Sequence, residues 1–165
     1  GKPDYALAFH VAAQLPIGIV SAAEGIQYSS SDSIDIRVPG IGTHGASPHL
    51  GKDPVYIASQ IVSALQSIDS REISPVKPVV VTVGSFHAGS KHNIISDEAK
   101  LQVTVRANDE ETREQVIAAI GRIAVNIGKA HGLPDSMPVE VVRGAGTPTT
   151  VNDAALARRL NAVMK

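Results

Sequence analysis

Residues 33–40 read Ser-Ile-Asp-Ile-Arg-Val-Pro-Gly, and this stretch is the starting point for the fold. Its apolar side chains alternate with polar ones, which predicts a half-buried β-strand that Pro39-Gly40 ends. Further on, Asp53 and Pro54 predict a helix start, because aspartate caps helices and proline at the first position loses no hydrogen bond. The apolar residues that follow recur at three- and four-residue spacing on one face, which must be buried: Ile57, Ile61, Ala64, Leu65 and Ile68.

The same two periods continue towards the C-terminus. The β-branched run Val79–Val83 and the alternating residues Leu101–Arg106 predict two strands that pair as a hairpin. Asn108 and Glu111 resemble a capping box that opens a second helix. His131-Gly132 is a typical end for that helix, since glycine adopts the backbone conformation that helix termini need.

Val139 and Val141 predict one more strand. The order is then strand, helix, strand, strand, helix, strand, which is typical of an α+β ferredoxin-like two-layer sandwich (βαββαβ). Such a sandwich has a four-stranded antiparallel sheet with both helices on one face. Right-handed crossovers place the first strand of the hairpin and the last strand at the two edges of the sheet.

The two ends of the chain do not fit this unit. Tyr5–His10 is an apolar run that predicts a buried strand, and Asp153–Lys165 predicts the start of a helix. Both ends are therefore interpreted as parts of another domain into which the sandwich is inserted. The expected division is residues 1–25, residues 26–143 for the sandwich, and residues 144–165.

Composition excludes several function classes. The chain has 165 residues, 43% of them hydrophobic and 19% charged, with a formal net charge of -1, as expected for a globular domain. No basic excess and only two Phe and three Tyr argue against nucleic-acid binding. The longest apolar runs are too short to span a bilayer, and a cytoplasmic location is the default expectation. Because there is no cysteine, disulfides and thiolate zinc sites are excluded within this sequence.

Three motifs carry the chemistry. The loop Gly42–Pro54 reads Gly-Thr-His-Gly-Ala-Ser-Pro-His-Leu-Gly-Lys-Asp-Pro between the first strand and the first helix. It is joined by Phe9-His10-Val11 near the N-terminus and by His92–Glu98 in the hairpin connection. Together these motifs resemble the metal-dependent amidohydrolase and metallopeptidase family of hippurate hydrolases, N-acyl-amino-acid amidohydrolases and auxin-conjugate hydrolases. The resemblance covers nearly the whole chain.

The resemblance implies an activity and an architecture. Such enzymes hydrolyse the amide bond of N-acyl amino acids or similar substrates in an α/β catalytic domain interrupted by a ferredoxin-like lid, also called the dimerisation domain. Residues 26–143 match the lid, residues 1–25 the end of the first catalytic segment, and residues 144–165 the start of the second. The family uses two divalent metal ions, of zinc or manganese type, which share and activate a water. Of the metal ligands only His10 matches, so this chain alone is expected to bind no metal and to be inactive.

Three further residues match functional positions of the family. His44 matches the histidine that enters the partner subunit's active site and stabilises the oxyanion. Asn93 matches an asparagine that holds substrate across the dimer, although Ser96 replaces the proline usual in that motif. Arg106 lies on the polar face of its strand, where a guanidinium can bind a carboxylate through two hydrogen bonds. In similar enzymes an arginine at this place binds the substrate's α-carboxylate.

Each assignment has a structural alternative. His10 can be a hydrogen-bonded residue at a strand end, His44 a loop histidine bonded to nearby backbone, Asn93 a turn residue and Arg106 a solvated strand residue. For the whole chain, the alternatives are a free-standing ferredoxin-like module that binds a small molecule or mediates assembly without catalysis, and an inactive homologue that has lost the metals. The apolar strand before His10 and the helix after Asp153 argue against a free-standing module.

Assembly is predicted from the sheet edge. Val79–Val83 carries no charge, whereas natural proteins protect exposed edges with lysine, proline or a bulge, and only Lys77 and Pro78 at its entrance could do so. The strand is therefore expected to pair with its copy across a two-fold axis, with the helix Pro54–Ile68 near its own symmetry mate. The resulting homodimer agrees with the family's use of the lid in dimerisation.

Overall fold

The computed structural model describes residue 1 and residues 3–164, in which the chain forms two compact units. The elements are listed here in chain order. The strands are β1 (Gly25–Tyr28), β2 (Ser31–Pro39), β3 (Thr43–His44), β4 (Val79–Ala88), β5 (Ile94–Ile95), β6 (Glu98–Ala107), β7 (Glu140–Thr147) and β8 (Thr150–Asn152). The helices are α1 (Pro54–Leu65), α2 (Glu110–Ala130) and α3 (Ala154–Val163).

The larger unit, residues 26–151, is a ferredoxin-like sandwich, as predicted. Its four-stranded sheet has the order β4-β6-β2-β7, and the three pairings are antiparallel. The predicted hairpin of β4 and β6 is confirmed, and so are the two predicted edges, β4 and β7. Short strand pairs β3-β5 and β1-β8 complete the sheet structure.

Helices α1 and α2 pack on one face of the sheet, where they contact each other and the strands. Alternation explains the burial: in β2 and β6 every second side chain enters the core and the intervening ones face solvent. The larger core residues from the two central strands and the two helices are Ile34, Ile36, Val38, Leu101, Val103, Val105, Ile57, Ile61, Leu65, Val116 and Ile120. The predicted apolar stripe of α1 is therefore confirmed.

The two helix starts of the sandwich show one correct and one wrong prediction. Asp53 caps α1, and its carboxylate accepts hydrogen bonds from the backbone N–H groups of Val55 and Tyr56. The capping box at Asn108 is wrong, because the N-cap of α2 is Asp109, whose carboxylate accepts from both the backbone and the side chain of Thr112 at 2.8 Å. An aspartate one residue later satisfies the same helix terminus, while Asn108 accepts a hydrogen bond from the Ser29 hydroxyl.

Other element bounds differ from expectation. Helix α1 ends at Leu65 rather than Ile68, and a π-helical turn, Ile68–Glu72, follows it. Strand β4 continues past Val83 to Ala88 through a bulge between Val83 and Ser85. Glycine at position 84 suits such a bulge, which no alternation pattern reveals. The predicted end of α2 is confirmed, with Gly132 at φ 73°.

The smaller unit comprises residues 1–25 and Asn152–Lys165. The predicted strand Tyr5–His10 is wrong: these residues form no regular structure, and Phe9 is 84% exposed. A buried strand needs neighbouring strands for its backbone groups, and none of the described residues pairs with this run. The predicted helix start at Asp153 is confirmed, because its carboxylate accepts from the backbone N–H of Leu156.

Hydrogen bonds also hold this smaller unit together. The side chain of Asn161, on α3, both donates to the carbonyl oxygen and accepts from the backbone N–H of Ala22. Arg158 forms an ion pair with Glu24. Within the described part of the chain, no helix is both long and apolar enough to cross a membrane.

Candidate functional site

The loop that carries His44 is closed at its base. Ile41 and Lys52 form an antiparallel bridge, with reciprocal backbone hydrogen bonds of 2.9 and 3.0 Å. A Cβ on Gly51 would clash with the carbonyl oxygen of Ile41, so glycine is needed for this close approach. Lys52 also donates to the carbonyl oxygen of His131 at the end of α2. The loop is therefore attached at its base to the bridge and to the second helix.

The same loop is joined to the hairpin connection that carries Asn93. Strands β3 and β5 pair His44 with Ile94, and the backbone N–H of Gly45 donates to the carbonyl oxygen of Asn93 at 2.7 Å. A Cβ on Gly45 would lie 3.0–3.2 Å from Asn93 backbone atoms, closer than most real contacts. The structure thus brings His44 and Asn93, both exposed, together on two loops linked by backbone hydrogen bonds.

The His44 imidazole is solvent-exposed, but its Nδ1 accepts a hydrogen bond of 3.1 Å from the backbone N–H of Ala46. The His44 carbonyl oxygen accepts another, of 2.8 Å, from the backbone N–H of Ser47, so the chain makes a tight turn here. No carboxylate hydrogen-bonds the ring among the residues described. The ring is therefore positioned by backbone groups and turned towards solvent.

Arg106 lies elsewhere on the sandwich. It faces solvent on β6, between the buried residues Val105 and Ala107, and its register partner on β4 is Val80. Its side chain forms no ion pair with any described residue. Strand β6 begins near the Asn93 loop at Glu98, and Arg106 is about 26 Å further along at the rise of a strand. One sandwich therefore does not bring Arg106 together with His44 and Asn93.

His10 belongs to the smaller unit and is exposed. Its Nδ1 lies 2.7 Å from the carbonyl oxygen of Val11, which can only accept, so Nδ1 donates this hydrogen bond. Metal-binding histidines are commonly held in this way. No group of three His, Asp or Glu side chains able to hold a metal occurs in residues 1 and 3–164. The described residues thus fit one ligand of a metal centre and not a complete one.

Sequence reasoning missed a buried ion-pair cluster. Asp32 is fully buried at the start of β2, and its carboxylate accepts from the Arg113 guanidinium through two hydrogen bonds of 2.7 and 2.8 Å. Arg143 on β7 donates to the same carboxylate at 3.0–3.1 Å. The outer sides of the two arginines bind Glu110 and Glu114 of α2. The cluster ties α2 to the two strands where the chain enters and leaves the sheet.

Charge pairing shifts the ionisation of this cluster. The hydrogen bonds from Arg113, and secondarily from Arg143, hold the pKa of Asp32 below its usual value although burial opposes them. Hydrogen bonds to Asp32, and secondarily to Glu110, raise the pKa of Arg113. Alternation could have revealed Asp32, because it has the inward parity of Ile34 and Ile36, and a carboxylate at such a position needs a cation.

Residues 29–132 match the model of the peptidase dimerisation domain. The chain belongs to this family. The match covers most of the sandwich, including the His44 loop, the Asn93 loop and β6. The dimerisation domain is a part of M20 metallopeptidases and amidohydrolases, so the resemblance seen in the sequence is confirmed.

The chain matches part of the length of several longer curated relatives. The chain is 37% identical over 153 residues to a hippurate hydrolase of Campylobacter jejuni, and 34% identical over 150 residues to thermostable carboxypeptidase 1 of Saccharolobus solfataricus. These matches cover 91% of this chain but only 38% and 37% of the relatives. The chain therefore spans about two fifths of their length.

Solved structures agree on the fold. YXEP of Bacillus subtilis, described as a dinuclear metal-binding peptidase from the M20 family, superposes with a TM-score of 0.64 at 28% identity, over 92% of this chain and 38% of YXEP. An aminobenzoyl-glutamate utilization protein of Klebsiella pneumoniae gives a TM-score of 0.74 at 18% identity, over 93% of this chain and 37% of that protein. At that identity the second likeness supports the fold alone.

Proposed function

We propose that this M20 dimerisation domain is the lid of a metal-dependent amidohydrolase that cleaves N-acyl amino acids or similar amides. In this proposal the two flanks, predicted from sequence as residues 1–25 and 144–165, belong to the catalytic domain, and the second flank begins after β7, which continues the sandwich to Thr147. The hippurate hydrolase and N-acetyldiaminopimelate deacetylase among the relatives support this substrate class by their names. The observation that carries the proposal is the His44–Asn93 pair, because both exposed polar side chains sit on loops fixed by backbone hydrogen bonds.

Each residue has a role in this reaction. The metal ions, when bound with His10 as one ligand, supply a water nucleophile and polarise the scissile carbonyl. His44 donates a hydrogen bond to the oxyanion that forms at that carbonyl, and the bond strengthens as charge develops. The amide of Asn93 can donate to and accept from the peptide-like part of the substrate. Arg106 binds the free α-carboxylate through two parallel hydrogen bonds.

One sandwich cannot supply all of these contacts. Arg106 and the His44–Asn93 loops are about 26 Å apart along β6, far more than the length of an N-acyl amino acid. A two-fold axis beside β4 reverses the partner's strands, so the partner's His44 end lies level with Arg106. The two groups are then separated by about three strand spacings, roughly 14 Å. We therefore propose that Arg106 acts in one site with His44 and Asn93 of the second copy.

The choice of edge follows from the side chains. In β4, residues Val79–Val83 carry no charge, and Val80 is 47% exposed. The opposite edge strand, β7, carries Glu140 and Arg143 and is irregular opposite Asp32 and Ile34. Charges and bulges discourage pairing between sheet edges. The β4 edge, together with the neighbouring helix α1, is thus the better candidate for a homodimer interface.

Subunit mixing tests the proposal in an enzyme that contains this chain with the family's catalytic domain. His10→Ala and His44→Ala homodimers should each be inactive. A heterodimer of the two keeps one site with both histidines intact, so about half of the wild-type activity per dimer should return. No recovery in verified heterodimers would refute a His44 supplied across the dimer.

A second mixture tests the position of Arg106. If Arg106 of one subunit works with His44 of the other, a heterodimer of Arg106→Ala and His44→Ala contains one intact site and one doubly damaged site. If both residues work from the same subunit, each site carries one defect and activity stays low. Recovery comparable to that of the first mixture is the expected result. If activity recovers when His44→Ala is mixed with His10→Ala but not when it is mixed with Arg106→Ala, Arg106 and His44 of one site come from the same subunit.

A further inference from the structure

The hydrogen bond between Ala46 and His44 determines which ring nitrogen carries the proton. A backbone N–H can only donate, so His44 Nδ1, which accepts it at 3.1 Å, must present its lone pair. In the neutral ring the proton then resides on Nε2. The tautomer of an exposed histidine is otherwise set by solvent, so this single contact has a chemical consequence.

The turn that aims this N–H is held by the rest of the loop. Ser47 N–H donates to the His44 carbonyl oxygen, and Gly45 N–H donates to the Asn93 carbonyl oxygen. Position 45 also requires glycine, because a Cβ there would lie 3.0 Å from the Asn93 carbonyl carbon. Ala46 is therefore positioned by contacts on both sides and not by its own methyl group.

We propose that the backbone N–H of Ala46 is a positioning group that holds His44 as the Nε2–H tautomer, so that the ring presents a neutral hydrogen-bond donor to the substrate. This inference rests on the proposed function of His44. A neutral imidazole that gave up its Nε2 proton would become an anion, which is strongly unfavourable. His44 therefore stabilises developing negative charge by donating a hydrogen bond and does not act as a proton-transferring acid.

The first test uses amide hydrogen exchange of the ¹⁵N-labelled 165-residue chain. Ala46 N–H should exchange severalfold more slowly in the wild type than in His44→Phe, whose ring has no acceptor. His44→Asn is the matched control, because its carbonyl oxygen takes the place of Nδ1 and should restore the protection. Equal exchange of Ala46 in the wild type and in His44→Phe would overturn the proposal. Long-range ¹H–¹⁵N spectra should also show the His44 proton on Nε2, and a proton on Nδ1 would overturn it equally.

The second test separates this inference from the proposed function. In the complete enzyme, His44→Gln keeps an N–H donor near the position of Nε2, whereas His44→Asn keeps only the counterpart of Nδ1. We expect His44→Gln to retain at least tenfold more activity than His44→Asn, and the reverse order would overturn the inference that the ring works through its Nε2 proton. If the exchange data agree with the tautomer but His44→Ala is fully active, the proposed function fails while the structural role of Ala46 stands.

Discussion

Replacing Asp32 by Asn should make the sandwich much easier to unfold, because it removes the buried negative charge that Arg113 and Arg143 share. Asp32 is fully buried, and the Arg113 side chain is only 10% exposed. Asparagine has nearly the same shape but no charge, and one of its oxygens becomes an amide nitrogen facing an arginine donor. The variant therefore leaves a buried cation without its main partner.

The expected loss is about 3 kcal/mol in the free energy of unfolding. Breaking a buried pair by removing one partner typically costs about 3–5 kcal/mol. The lower end applies because Arg113 keeps Glu110 at 3.0 Å and Arg143 keeps Glu114 at 2.8 Å. With a urea dependence of about 2 kcal/mol per molar, the unfolding midpoint should fall by about 1.5 M.

The matched control is Asp35→Asn, three residues along the same strand. Asp35 faces solvent and accepts one hydrogen bond from Gln102, so its loss should shift the urea midpoint very little. Circular dichroism at pH 7 measures both variants. A midpoint for Asp32→Asn that coincides with that of Asp35→Asn would refute the reasoning that the buried pair stabilises the fold.

Acid should remove the difference in the free energy of unfolding between the wild type and Asp32→Asn. Arginine lowers the pKa of Asp32 in the folded chain below the value of about 3.9 expected when unfolded. The unfolded state then binds the proton first, so this contribution is complete above about pH 4 and is lost as the pH falls through the folded-state pKa. The gap in stability should be constant near neutral pH and should narrow only below about pH 4.

Three further experiments test other parts of the structure. By sedimentation velocity at micromolar concentration, the wild type should be a dimer and Val81→Pro a monomer or aggregate. The control Val142→Pro, on the opposite edge, should remain dimeric. A well-folded wild-type monomer would contradict the proposed interface. Gly128→Ala should lower the urea midpoint, because the new Cβ would lie 2.6 Å from Val139 Cγ2. Gly121→Ala should raise the midpoint, because alanine favours the helix and its Cβ would have nothing within 4 Å. The opposite order of the two midpoints would contradict the packing. The isolated chain should not hydrolyse hippurate with any divalent metal, since His10 is its single matched ligand, and turnover that chelation abolishes would contradict this.

The sheet could be predicted because its strands are either alternating or continuously β-branched. Ile34 and Ile36 showed the half-buried central strand, and Val79–Val83 showed the edge, so handedness rules were enough to order the strands. The helix starts depend on a single side chain, which makes them sensitive to competition. Asp109 caps α2 where Asn108 was expected because both residue types are good caps and only the observed backbone decides between them.

The site was only partly accessible from sequence. Motif matches predict His44, Asn93 and Arg106 as site residues, but their separation depends on strand register, which places Arg106 opposite Val80 and far from the loops. The apolar pattern of Tyr5–His10 could not show whether neighbouring strands are present. Backbone contacts such as that from Ala46 leave no trace in residue type, since every residue except proline carries an N–H group.

The chain enters and leaves the sandwich side by side. Ser31 at the start of β2 is the register partner of Thr147 at the end of β7, and paired strands place such Cα atoms about 5 Å apart. Once the sandwich is folded, the two points at which its flanking segments begin are therefore no further apart than the length of one or two extended residues. Its own folding energy offsets the entropy of closing a loop of more than a hundred residues. The effective concentration of one flank around the other is then high, and a host domain interrupted at this point can assemble nearly as if its chain were continuous.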